Sequence, residues 1–479
     1  MGKSTMDDET SAGQPPRFAL VPHWEWEVLE SPVEIVVAQP GSLPGGVKLL
    51  AIQRDEDFGL AFRGRGSLES TLEVLGGSQD HPAGVLLPPA APLTGSCARL
   101  QMRGVVHGVR AETGKETWPA PGIPPILDVA GAADSLELYR DQEGTEPAGS
   151  LLSLWAINGP TRKDHCLPRR TVWASQTQRC RMRKGSNSTR KAVAGGGGHE
   201  TNHVTIAIPA GTITVGAVPQ GFAPAWTHPG VVEIEAAGGS ATMTFMPWDE
   251  TQPLLDAIGL CIGRRPWLVG QTLFDSDGKI VAASARSPDV VAIRRVCELP
   301  SSPAVPVGSP DETEERFSRL VAGLLGVHEQ FRLGVVQYML WLAETLPMGV
   351  CFPLYSMALD TLADAWLASP RSASRETSGG VQVKVDRFFA EVQLPIGEPE
   401  KAATRTRHRF AHVWPSGLPN MQGLVDTAHA YRTLLHRLIL KLAGHDGLYV
   451  DYSTHGSPSR MLESPAGGPS GDGTPAAIK

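Results

Sequence analysis

The hydrophobic period of this 479-residue chain changes near residue 300, and that change dictates two kinds of structure in succession. Ahead of it, short apolar runs alternate with polar residues and stop at Pro-Gly or Gly-Gly punctuation. Period two puts successive side chains on opposite faces, so such runs are strands half buried against a core. The runs are 33–37, 47–52, 59–62, 72–75, 98–102, 135–139 and 151–155, then 203–208, 211–215, 231–234 and 242–245. Residues 267–274 and 279–285 follow, joined by Asp275-Ser276-Asp277-Gly278, whose Asp-Gly step suits a hairpin. So many short strands predict a β-rich region over 17–300, a sandwich or open barrel, with a short apolar helix at 254–262.

Residues 299–310 carry four prolines among small residues, and 301–310 read as an interdomain linker. Beyond it apolar residues recur every three or four positions, the spacing of one helical face. The first such run is Leu320, Leu324, Val327, Phe331, Val335, Tyr338, Leu342 and Leu346. Asp311 is its candidate N-cap, and Glu312, Glu314 and Glu315 suit the positive end of a helix dipole. A second helix over 354–367 turns Leu359, Leu362, Ala363 and Trp366 inward. A third spans 381–392. A fourth, 418–443, carries the stripe Leu424, Ala428, Tyr431, Leu435, Leu438 and Leu442, stopped by Gly444. The expected fold is multidomain α+β, with the β-rich region followed by an all-α, up-and-down bundle over 311–463.

Composition narrows the classes. A net charge of -7 argues against a chain that coats nucleic acid along its whole surface, and leaves local basic patches open. Six cysteines scattered without paired spacing fit reduced thiols, hence a cytoplasmic protein. Residues 1–16 are polar, without the apolar core of a secretory signal, and are expected to be a disordered leader; 464–479 is expected to be a disordered tail. No apolar run reaches the length of a membrane span. Between Arg162 and Lys191 stand ten cations and one acid, Asp164. This basic insertion, 161–200, reads either as an arm tracking a phosphate backbone through Arg179, Arg181 and Arg183, or as a solvated loop. Cys166, Cys180, His199 and His203 lack a Cys-x2-Cys knuckle, so no metal site is expected there. Trp24, Trp26, Trp226 and Trp248 are expected to be core rather than the lining of a sugar groove. The chain holds no Gly-x-Ser-x-Gly elbow, Walker A loop or His-Glu-x2-His.

One motif carries chemistry: Arg407-His408-Arg409-Phe410-Ala411-His412, the chain's sole Arg-x4-His. It lies between the third and fourth helical patterns. In that place it resembles the Arg-[Asn/Asp/His]-x3-His motif of the HEPN superfamily, which sits ahead of the last long helix of a compact bundle. Ala358-Leu359-Asp360-Thr361-Leu362 is similar to the Ala-Leu-acid stretch of such bundles. Gly447-Leu448-Tyr449-Val450-Asp451-Tyr452 is similar to a segment that follows the final helix in bacterial members. The resemblance covers about 311–463. The order of a β-rich region and then such a bundle resembles the ApeA-type bacterial anti-phage proteins. One departure is His408, where asparagine is the commonest occupant.

The resemblance implies a metal-independent endoribonuclease, a toxin or anti-phage effector without cofactor, acting on RNA as a homodimer and restrained by a β-rich region that senses an unknown trigger. Histidine near its ordinary pKa serves as base or acid at neutral pH, and arginine forks two donors onto phosphate oxygens. Those roles fall to His412 and Arg407, with His408 orienting or substituting and Asp360 supporting. Arg405 and Arg409 are candidate RNA contacts. On a helix, positions five apart diverge by about 140°, so a second copy is expected to complete the site. Pro415 places His412 in a last helical turn, where the dipole favours imidazolium. Two plainer readings stand beside this one. An arginine paired with Asp360 and a histidine at a helix end are ordinary structural residues. Alternatively the bundle is a non-catalytic nucleotide-, RNA- or protein-binding dimerisation module.

Overall fold

A computed structural model describes residues 29, 33–38, 47–55, 59–67, 92–98, 100–117, 126–140, 147–159, 167, 169–172, 199–208, 211–217, 230–236, 243–275, 280–288, 301–347, 350–373, 380–412 and 421–467. The expected order holds, strands first and helices after. One antiparallel sheet of fifteen strands curls into an open half-barrel. From one edge it runs β10 (Arg169–Val172), β11 (His199–Ile208), β12 (Gly211–Ala217), β13 (Gly230–Ala236), β9 (Leu151–Ile157), β14 (Trp267–Phe274), β15 (Ile280–Arg286) and β8 (Ser135–Tyr139). It continues through β5 (Met102–His107), β4 (Leu93–Cys97), β1 (Val33–Val37), β2 (Leu49–Arg54), β3 (Leu60–Ser67), β7 (Ile126–Ala133) and β6 (Arg110–Thr117).

The middle of this sheet is covered on both faces. Every residue of β9 is buried. Its even positions, Leu152 and Leu154, join a core shared with the helices, while Leu151, Trp155 and Ile157 join a second core inside the curl. The two-residue period thus feeds two cores from one strand. The expected hairpin is present as the pairing of β14 with β15, Phe274 opposite Ile280. One expected strand is absent. Ala98, Leu100 and Gln101 are turn residues between β4 and β5, with Gln101 at φ 53°, because Cys97 already pairs with Met102. Residues 243–245 hold only a bridge from Met243 to Gly149. The run 72–75 and the tip 276–279 lie outside the described residues.

Seven helices are described: α1 (Trp248–Ile262), α2 (Pro310–Val327), α3 (Leu333–Thr345), α4 (Cys351–Ala368), α5 (Val381–Val392), α6 (Glu398–His412) and α7 (Met421–Leu442). None is long and apolar enough to cross a membrane. α2 closes part of the sheet. Its Glu314 accepts the Thr205 N–H at 3.0 Å and Ser318 Oγ accepts the Ala207 N–H at 3.0 Å, covering strand donors that β10 does not reach. α4 is central and packs on α3, α5, α6 and α7. The stripe of α7 is buried along its whole length, as its spacing predicts, each leucine contributing ~2 kcal/mol.

Three expectations need correction. The N-cap of α2 is Ser309, not Asp311. Pro310 fits the first helical position, so the cap falls one residue earlier, and Ser309 closes a capping box with Glu312. The long run from Leu320 to Leu346 is two helices. Arg332 takes a left-handed φ of 52°, and the chain restarts with its phase rotated. Val335 and Tyr338, expected inside, are 48% and 43% exposed, while Leu333, Val336, Leu340 and Trp341 are buried in their place. Finally, the proline-rich segment packs rather than spans. Gly263 ends α1 with φ 72°, and its carbonyl accepts the Ser302 N–H at 3.0 Å. Ala304 is fully buried, donating to Leu260 O and accepting from the Val450 N–H, both at 3.0 Å.

Candidate functional site

The Arg407–His412 motif occupies the C-terminal turns of α6, and His412 is that helix's last residue. The helix is held in place at its other end. Glu400, in its first turn, caps it by accepting the Gly397 N–H at 2.7 Å. The same carboxylate takes Arg437 Nη1 of α7 at 2.6 and 2.7 Å, and both side chains are 0% exposed. Arg437 Nη2 donates to Pro395 O and Leu462 O, both at 2.9 Å, and its guanidinium lies 5.0 Å from the Tyr449 ring centroid. Burial pushes the Glu400 carboxyl above its ordinary value, against the pull of the Arg437 charge. This pair fixes the root of α6 to α7 and to the chain following α7.

The phase of α6 then sorts its later positions. Glu400, Ala403 and Thr404 are buried, whereas Glu398, Lys401, Ala402 and Arg405 are exposed. At 100° per residue, positions 405, 408, 409 and 412 stand at i, i+3, i+4 and i+7, the spacing of one helical face. Position 407 falls four after Ala403 and seven after Glu400 along the helix. α6 as a whole packs on α7 and on α4, whose half-buried Asp360 is the candidate supporting acid. Sequence order alone treats Arg407 and His412 as a pair. On a helix, spacing alone puts positions 405, 408, 409 and 412 together and 407 apart from them.

Of the candidate residues, Arg405 and Asp360 are described in full. Arg407, His408, Arg409 and His412 are described as backbone within α6. Arg179, Arg181 and Arg183 lie outside the described residues, as do Cys166, Cys180, Trp24, Trp26 and Trp226. Part of the basic segment is strand: β10 pairs with the start of β11, Arg169 opposite Asn202. Trp248, at the start of α1, carries the Arg286 guanidinium 4.2 Å from its ring centroid. Among the described residues no three His, Cys, Asp or Glu side chains converge to hold a metal.

No protein-family model, curated protein or solved structure matches this chain.

The residues that position α6 were missed in sequence. Their signal is nevertheless there: Arg437 interrupts the apolar run from Leu434 to Leu440 on a helix buried on nearly all sides. An arginine in such a place needs a buried acid, and the early turn of a neighbouring helix supplies it.

Proposed function

We propose that the chain is a metal-independent endoribonuclease of HEPN type, acting in the cytoplasm as a homodimer, with the β-rich half restraining or triggering the helical half. What supports this reading is the spacing along α6, where Arg405, His408, Arg409 and His412 fall at i, i+3, i+4 and i+7. Two imidazoles on one face supply the base and acid that RNA transesterification needs. One takes the proton of a ribose 2′-hydroxyl as that oxygen attacks the adjacent phosphorus. The other gives a proton to the departing 5′-oxygen, leaving a 2′,3′-cyclic phosphate. Arg405 and Arg409 hold the phosphate oxygens as charge develops. Arg407 positions α6 against α4 through Asp360, or reaches the phosphate from a second copy. An effector of this kind acts as a toxin in anti-phage defence.

The spacing of position 407, four after buried Ala403 and seven after buried Glu400, favours a second reading, in which Arg407 is structural and the bundle binds RNA, nucleotide or a protein partner without turnover. Expression of wild type and His412→Ala in bacteria separates the two. The endoribonuclease predicts growth arrest and fragmented RNA with wild type only. Equal growth and intact RNA in both strains, together with retained RNA binding by the purified proteins, selects the binding module.

A further inference from the structure

The solvent side of α3 differs from that of its neighbours. Val335 and Tyr338 are 48% and 43% exposed, and Met339 and Leu342 are half-buried. These four stand at i, i+3, i+4 and i+7, and so share an arc of about 100° on the helix. Glu344 is the helix's one charged residue; it falls on the opposite side, 3.2 Å from Arg432 Nε. Other helices expose charge instead: α2 shows Asp311, Glu312, Glu315 and Arg319 to solvent, and α6 shows Glu398, Lys401 and Arg405. A helix that is apolar all round is ordinarily covered. The face is also set in advance. The Tyr338 ring centroid lies 5.0 Å from the Arg265 guanidinium and 6.1 Å from the Trp341 ring, both largely buried, so covering it costs little side-chain freedom.

Two properties fit this face to a second copy of the chain. It is uncharged, and in a two-fold contact the same patch meets itself, so no like charges are brought together. Its apolar positions also map onto themselves when the helix direction is reversed, 335 onto 342 and 338 onto 339. Antiparallel pairing thus sets Val335 against Leu342 and Tyr338 against Met339. The same register carries the exposed Arg332 of each copy to Thr345 of the other. The last turn of α3 has no basic residue of its own, and a cation is favoured beside its carbonyls. We propose that α3 packs antiparallel on α3 of a second copy and buries this face in a homodimer. The helix has 13 residues. It is therefore ~20 Å long and ~10 Å wide, and covers on the order of 400 Å² per copy, about half the ~800 Å² of a standard interface. The dimer is accordingly reversible rather than obligate, with a Kd of ~10–100 μM. This assigns a surface to the association named in the RNA-cleavage reading, but it does not depend on RNA being cut, because none of these residues belongs to α6.

Sedimentation velocity of the full chain without RNA, from about 1 to 300 μM, tests the proposal. Wild type should pass from monomer to dimer across that range. Val335→Glu places an acid in the first turn of α3, where the dipole suits it, so the variant should keep the wild-type circular dichroism. In the dimer that acid is buried against Leu342, and association should weaken by ~30-fold or more. Leu342→Lys should do the same from the other end. Both substitutions in one chain set the new carboxylate against the new ammonium at two symmetric places, and association should return to within ~10-fold of wild type. Wild type that stays monomeric throughout overturns the proposal, as does a dimer that both single variants leave intact. A double variant no better than either single one overturns the antiparallel register. Because no RNA is present, any of these results leaves the cleavage reading to its own assay.

Discussion

Replacing Arg437 by Met tests the argument that a buried ion pair roots the motif helix. The substitution keeps an unbranched apolar stem and deletes the guanidinium. Glu400, fully buried, would lose its contacts at 2.6 and 2.7 Å and keep the Gly397 N–H, while the carbonyls of Pro395 and Leu462 lose their donor. Breaking one side of such a pair leaves an uncompensated charge in a dry site, at a cost of ~3–5 kcal/mol. Adding Glu400→Gln removes that charge, so the double variant should be more stable than Arg437→Met alone, with a coupling energy above ~1 kcal/mol. Urea unfolding followed by helical circular dichroism gives the four stabilities of the cycle. Amide exchange over 398–405 should quicken first in Arg437→Met. A loss below ~1 kcal/mol in the single variant, or a double variant that loses the sum of both, refutes the reasoning.

The break between α2 and α3 depends on the left-handed residue at its end. Arg332→Val should cost about 1–2 kcal/mol in thermal or urea unfolding, whereas Arg332→Gly should cost nothing measurable or stabilise. At the same break, His328 Nε2 lies 3.3 Å from Asp256 Oδ2. Burial alone would lower the His328 pKa, but the Asp256 hydrogen bond and charge, joined by Glu329, outweigh it and raise it. A histidine raised in the folded state contributes stability that is complete below its unfolded value near 6.5 and is lost as pH climbs through the folded value. Unfolding measured across that range should show this slope in wild type and not in Asp256→Asn. His436 has the opposite sign. Its folded pKa of about 3 means the unfolded chain binds the extra proton, so stability should fall by up to ~1.4 kcal/mol per pH unit from about 6.5 downward. His436→Gln should flatten that limb.

The layout of strands followed by helices was legible because apolar period is a local property. Residues 33–37, 267–274 and 381–392 fall on elements with the same bounds, and the α7 stripe is buried throughout. What escaped was set by contacts distant in sequence. β6 and β7 carry Gly, Ala and charged residues with little alternation, and are strands because each finds a partner. The phase change at Arg332 has no signature in hydrophobic spacing, since Phe331 and Val335 still stand four apart. The segment 301–310 looks like a linker in composition, yet its small apolar residues fit between α1 and the chain at Val450. The motif was visible as six letters, but that it ends a separate helix rooted through Glu400 needed the fold. The Glu400–Arg437 pair joins residues 37 positions apart, beyond any local pattern.

Incubation of the purified chain with total RNA in EDTA, followed by analysis of fragment ends, tests the central claim most directly. Wild type should yield 2′,3′-cyclic phosphate and 5′-hydroxyl ends. His408→Ala and His412→Ala should each reduce the rate by ~100-fold or more, as loss of an acid or base does. Intact RNA with wild type, or equal cleavage by wild type and His412→Ala, would contradict the account.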